Sequence, residues 1–126
     1  MINFKNLEIK MSEIIEINGE TYKKISVDNE AKYVIVRTYS AGVFAGYLES
    51  RDGKEGVMLQ ARRIWYWSGA ASLSELAMKG VSKPDDCKFP CIVDKITLTE
   101  IIEIIECTKE AKKSITDVPV WTAFDD

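Results

Sequence analysis

The stretch KYVIVRTYSAGVFAGYLESRDGKEGVMLQARRIWYW, residues 32–67, decides the fold. From Lys32 to Tyr39 the side chains alternate, with Tyr33, Ile35, Arg37 and Tyr39 on one face and Val34, Val36 and Thr38 on the other, the period of a strand. Ser40-Ala41-Gly42 is turn material. Val43 to Ser50 makes a second strand, with Phe44, Gly46 and Leu48 opposite Val43, Ala45 and Tyr47. A second turn follows at Arg51-Asp52-Gly53-Lys54, where Asp-Gly supplies the backbone freedom a tight reversal needs. Gly56 to Trp67 reads as a third strand, or as two strands bent near Arg62. Strands joined this tightly form an antiparallel meander. A glycine inside a strand, Gly46, predicts a bulge or the close approach of another backbone.

Reading outward toward the C-terminus, Ser72-Leu73-Ser74-Glu75 fits a capping box, in which a serine oxygen and a glutamate carboxylate satisfy free amides of a first helical turn. The spacing predicts a helix over 72–79, closed by Gly80. Val81 to Cys91, with Pro84 and Pro90, is a loop. Between Ile96 and Glu106 two readings compete. Leu98, Ile101, Ile102 and Ile105 fit one helical face, but β-branched isoleucine favours a strand, and a helix leaves Thr97 and Thr99 without a capping role. Strand is the preferred reading. Thr108 then caps a helix over 109–116, and Val118-Pro119-Val120-Trp121 is an apolar, extended tail suited to docking on the core or on a neighbouring subunit.

Toward the N-terminus, EIIEI and TYKKISV flank Asn18-Gly19 and read as a hairpin from Glu13 to Val27. Residues 1–30 are taken as an accessory N-terminal arm, with Met11 an alternative start, and 31–121 as the core of a single domain over 1–126. The expected class is α+β: an antiparallel sheet or small barrel of about five to seven strands with two short helices against it.

Bulk properties narrow the chemistry. The 126 residues carry a net charge of −3, which disfavours wrapping duplex DNA, where phosphate neutralisation supplies most of the affinity. No apolar run reaches bilayer-spanning length, so no membrane partner is expected and the cytoplasm of a host cell is the expected compartment. The chain has no histidine and 3 cysteines. Without imidazole, histidine general bases, His-activated nucleophiles and every metal site that needs imidazole are excluded. Cys87, Cys91 and Cys107 are odd in number and fit reduced thiols, and Cys87 with Cys91 beside Asp85-Asp86 is a poor metal motif. Neither cofactor nor metal is expected, and binding is expected rather than catalysis.

Arg62-Arg63-Ile64-Trp65-Tyr66-Trp67, followed by Ser68-Gly69-Ala70-Ala71-Ser72, is the candidate ligand-binding segment. In a continuous strand Arg63, Trp65 and Trp67 share one face. Indole and guanidinium planes stack on nucleobases, guanidinium forks hold phosphate, and small residues before a helix leave amide donors for an anion. Arg37 and Tyr39 join from the neighbouring strand. The candidate set is therefore Arg37, Tyr39, Arg62, Arg63, Trp65, Trp67, Ser68 and Ser72. The competing account makes the two tryptophans core or interface residues and the arginines salt-bridged edge residues. Glu100, Glu103 and Glu106 read as a solvated charged face.

From about Lys32 to Trp121 the chain resembles a family of small bacteriophage and prophage proteins of unknown function. The resemblance is carried by KYVIVRTYSAGVFAGYLESRDGKEG, ARRIWYWSGAASLSELAMKGVSKPDDCKFPC, ITLTEIIEII and VPVW. It implies a phage setting and supplies neither a reaction nor catalytic residues. The leading expectation is a non-enzymatic, phage-encoded protein that counters host defence by sequestering a small anionic, nucleotide-derived signal. The alternatives are a protein-interaction or assembly module gripping a host or phage protein, and single-stranded nucleic-acid binding by aromatic stacking. A homo-oligomer, closed by the tryptophan face, is expected over a monomer.

Overall fold

The computed structural model describes residues 31–124. The hairpin expected at 13–27 and the arm at 1–30 lie outside the described residues. The core opens with β1 (Lys32–Thr38), β2 (Val43–Asp52) and β3 (Glu55–Arg63), and continues through α1 (Leu73–Lys79) and a 3₁₀ turn (Pro84–Asp86). It then adds β4 (Ile92–Leu98), β5 (Ile101–Glu106) and α2 (Lys109–Asp117). All neighbouring strands are antiparallel, in the order β4-β3-β2-β1-β5. This is the expected α+β fold, with a five-stranded sheet.

The edge strands explain its shape. β4 and β5 are consecutive in the chain, with Thr99 and Glu100 between them, yet they occupy opposite edges. A link that short forces the sheet to curl until its edges meet at one corner. There the Ile101 N–H donates to the Lys54 carbonyl at 2.8 Å and the Tyr39 N–H to the Glu100 carbonyl at 2.9 Å. Away from that corner β4 and β5 form no ladder, so the sheet stays open rather than closing into a barrel. The stretch 96–106 is therefore strand, as expected, but broken in its middle.

The alternation along β1 sorts two cores. Val34, Val36, Phe44, Met58, Ala61, Leu98 and Ile101 form one cluster, with members from all five strands and from neither helix. On the other side Tyr33, Ile35, Ala45 and Ile64 pack with Leu76 and Ala77 of α1 and Ile115 of α2. Both helix starts are capped as the sequence predicts. Ser72 Oγ accepts from the Glu75 N–H at 3.2 Å and Thr108 Oγ1 from the Ala111 N–H at 3.0 Å. Each such cap contributes about 1 kcal/mol.

Gly46 meets its expected close approach. A Cβ there would sit 2.9 Å from Ala61 Cα and 3.1 Å from the Gln60 carbonyl oxygen. The β2–β3 register slips by one residue at this point, and Gln60 takes a left-handed φ of 52°. That bulge changes which residues of β3 face which core: Ala61 joins the sheet-only cluster and Ile64 the helix-side cluster.

One expectation fails here. β3 ends at Arg63 rather than running to Trp67. The chain then leaves the sheet and pairs with the loop after the 3₁₀ turn through a single antiparallel bridge, Tyr66 to Lys88. The Trp65 and Tyr66 N–H groups both donate to the Lys88 carbonyl at 3.2 Å, and the Lys88 N–H returns to the Tyr66 carbonyl at 2.8 Å. With the ladder broken, Arg63, Trp65 and Trp67 do not form one face.

Candidate functional site

The two arginines part company. Arg62 is 1% exposed, the bulkiest fully buried side chain among the described residues. Its Nε donates to the Pro90 carbonyl at 3.0 Å, Nη1 to the Ile115 carbonyl at 3.0 Å and Nη2 to the Phe89 carbonyl at 3.3 Å. The guanidinium carbon also lies 5.5 Å from the centre of the Phe89 ring. Ile115 stands in the last turn of α2, where orphan carbonyls gather negative partial charge, so the cation closes that helix end. Burial pulls the guanidinium below its ordinary range, with the nearby Tyr33 hydroxyl acting the other way. Charge-assisted hydrogen bonds offset the desolvation. Arg62 is thereby removed from any surface recognition role: its donors are spent on the fold.

Arg63 emerges on the opposite side, its guanidinium carbon 4.5 Å from the centre of the Phe44 ring and Nη1 donating to the Ala41 carbonyl at 3.2 Å. Arg37 pairs through Nε with Glu103 Oε1 at 2.9 Å across the β1–β5 edge. Lys32 pairs with Glu106 beside it, and Ser40 donates to Glu100. The three glutamates are thus the solvated face that their spacing suggests. Tyr39 is 77% exposed at the β1–β2 turn.

Ser68 and Ser72 are likewise occupied locally. The Ser68 N–H donates to Cys87 Sγ at 3.4 Å, while Ser72 caps α1. At that helix start Glu75 Oε1 accepts from the Ala71 N–H at 2.7 Å. A carboxylate already sits where an anionic ligand was expected. Trp67 packs against the helix-side core and donates from Nε1 to the Ala70 carbonyl at 3.2 Å. Trp65, by contrast, is 63% exposed, with Tyr66 next to it also exposed.

Lys88, which the backbone of Trp65 and Tyr66 engages, belongs to a groove the sequence reading did not assemble. Lys88, the bridge partner of Tyr66, lines a groove of about 410 Å³ together with Pro84, Asp85, Asp86, Pro119, Val120 and Trp121. Bridge partners project to the same side, so Tyr66 and Lys88 share a side. The far wall is the C-terminal tail, docked as expected: the Trp121 N–H donates to the Phe89 carbonyl at 3.0 Å, and Val120 bridges Phe89. Lys88 Nζ lies 5.4 Å from the centre of the Trp121 ring. Trp121 Nε1 is buried and has no hydrogen-bond partner among the described residues. The sequence signal for this groove was present in two rigid segments, Pro84-Asp85-Asp86 and Pro119-Val120-Trp121. Their adjacency depends on the Phe89 bridge, which no local pattern announces.

The thiols are all free. Burial pushes the Cys87 thiol up, and pushes Cys107 up to about 11. Burial thus favours the protonated thiol at both positions. Among the described residues no three carboxylates or thiols cluster to hold a metal, and no helix is long and apolar enough to cross a membrane.

Fold and site together define a small α+β domain with a buried, backbone-bound arginine, exposed aromatic side chains at Trp65 and Tyr66, and a groove lined by Lys88 and Trp121. Residues 31–115 match the family model described as domain of unknown function DUF6948, and the chain belongs to that family. No curated protein and no solved structure matches the chain.

Proposed function

We propose that the protein is a non-enzymatic binding module, and that its partner is another protein, docked on Trp65, Tyr66 and the adjoining groove. The observations that carry this reading are two exposed aromatic side chains, Trp65 and Tyr66, and a groove lined by Lys88, the bridge partner of Tyr66. Aromatic anchors of this kind dominate protein interfaces. Asp85 and Asp86, which carry no ion pair among the described residues, favour a partner segment bearing lysine or arginine. The family resemblance adds a setting. In a phage, a small protein without catalytic residues is suited to blocking a host defence protein.

A second reading, sequestration of a small nucleotide-derived signal, draws on the groove's volume, which falls within the range of about 300–1,000 Å³ usual for small-molecule sites. The Lys88 ammonium and Trp121 ring supply a cation and a stacking face for it. Two features weigh against it: the Asp85 and Asp86 carboxylates repel phosphate, and Arg37, Arg62 and Arg63 are engaged with Glu103, three carbonyls and Ala41 respectively.

Calorimetric titration with cyclic dinucleotides and cyclic ADP-ribose isomers separates the two. The protein-partner reading predicts no heat and no thermal stabilisation. A saturable heat that disappears in Lys88→Ala overturns it in favour of the small ligand.

A further inference from the structure

We propose that residues 119–121 form a strap that swings open from the folded domain about Val118, so that one wall of the groove is a gate. The motion stands without the partner reading; its use as a gate for a docking protein rests on that reading.

The root of the strap is fixed. Val118 is 3% exposed in the helix-side core, and its N–H donates to the Ile115 carbonyl at 3.3 Å. Pro119 has no N–H with which to continue the helix. Beyond Val118 the burial falls away: Pro119 and Val120 are exposed and Trp121 is partly buried.

The contacts that close the strap converge on Lys88 and Phe89. Val120 meets Phe89 in an isolated parallel bridge, the Trp121 N–H donates to the Phe89 carbonyl at 3.0 Å, and the Lys88 ammonium lies 5.4 Å from the centre of the Trp121 ring. That carbonyl is also held from inside the domain, where Arg62 Nη2 donates to the same oxygen at 3.3 Å. A carbonyl oxygen has two lone pairs, so lifting the strap leaves the Phe89 oxygen with its interior donor and orphans no acceptor there.

Opening also relieves the strap itself. Trp121 Nε1, buried with no acceptor among the described residues, reaches water when the ring swings out. A buried donor left unmade costs free energy that hydration returns. Against release stand the apolar area of the indole and the Lys88 cation over its face. The opposing effects are both small, the condition for a segment that opens locally while the rest of the fold stays closed.

The surroundings confine the motion to the strap. Arg62 ties the Phe89, Pro90 and Ile115 carbonyls together, which keeps the loop and the end of α2 in place. Pro119, Val120 and Trp121 line the groove opposite Pro84, Asp85 and Asp86, so this one movement widens or narrows it.

The test is amide hydrogen exchange of the full chain, read residue by residue by NMR with no partner present, so failure of the docking reading leaves its outcome untouched. The Trp121 amide should be protected at least about tenfold over an unstructured chain, yet exchange at least about a hundredfold faster than the α2 amides and without dependence on mild denaturant. Lys88→Ala should lower the Trp121 protection at least about threefold and leave the α2 amides unchanged, because it removes the cation that holds the ring. Lys88→Arg, which keeps a cation, should retain it. Exchange of Trp121 together with α2 would make the strap part of the core and overturn the proposal. Complete absence of protection would show a tail that never closes, and overturns it equally. So does a Trp121 protection indifferent to Lys88→Ala.

Discussion

Arg62 and Arg63 are neighbours in the chain and opposites in the molecule. One is sealed under the helices with three backbone carbonyls around it; the other lies over Phe44 near the β1–β2 turn. The same split continues beyond β3, where Trp67 packs inward and Trp65 stands in solvent. A single segment thus supplies both the clamp that organises the helix-side layer and the exposed aromatic side chains Trp65 and Tyr66. Rich chemistry in a short stretch of sequence need not converge on one site. Here the inward half ties β3 to the Phe89–Pro90 loop and to the end of α2, and so holds the groove walls in place.

The largest effect should come from breaking the inward half. Arg62→Ala strips the Phe89, Pro90 and Ile115 carbonyls of their donor and leaves a void, an expected loss of about 3–5 kcal/mol by denaturant unfolding. An intermediate effect tests the bulge that sends the two arginines to different sides. Gly46→Ala forces a Cβ against Ala61 Cα at 2.9 Å, with an expected cost of about 1–3 kcal/mol. The smallest effect on stability belongs to the outward half. Trp65→Ala should shift the unfolding free energy by no more than about 0.5 kcal/mol, as exposed substitutions generally do. If Trp65→Ala destabilised the fold as much as Arg62→Ala, the contrast between the two halves would collapse.

Much of the fold was legible because it rests on local periodicity. The alternation Tyr33 to Thr38, the glycine turns at Gly42 and Gly53, and the caps at Ser72 and Thr108 each record a short-range rule. The site was less legible, for three physical reasons. Arginine is almost never fully buried, so nothing in Arg62-Arg63 told which one would be, and the carbonyls that decide it come from residues 89, 90 and 115. The left-handed Gln60 alters the facing of β3 by a backbone conformation that a glutamine does not advertise. Finally, Lys88 and Trp121 meet through single bridges between irregular segments, which leave no periodic trace. The break between β4 and β5 was hidden for a related reason: Ile96 to Glu106 has uniform strand composition, and only the curl of the sheet assigns its halves to opposite edges.

The account turns on Trp65 and Tyr66 being a recognition surface rather than idle exposed side chains. The direct measurement is a quantitative comparison of host proteins retained by the immobilised full chain and by a Trp65→Ala, Tyr66→Ala variant of equal thermal stability. Retained candidates are then purified and titrated against both. The expected result is a direct binder whose affinity falls at least about tenfold in the variant, as the loss of aromatic anchors dictates. Equal affinity of every confirmed binder for both proteins would contradict it.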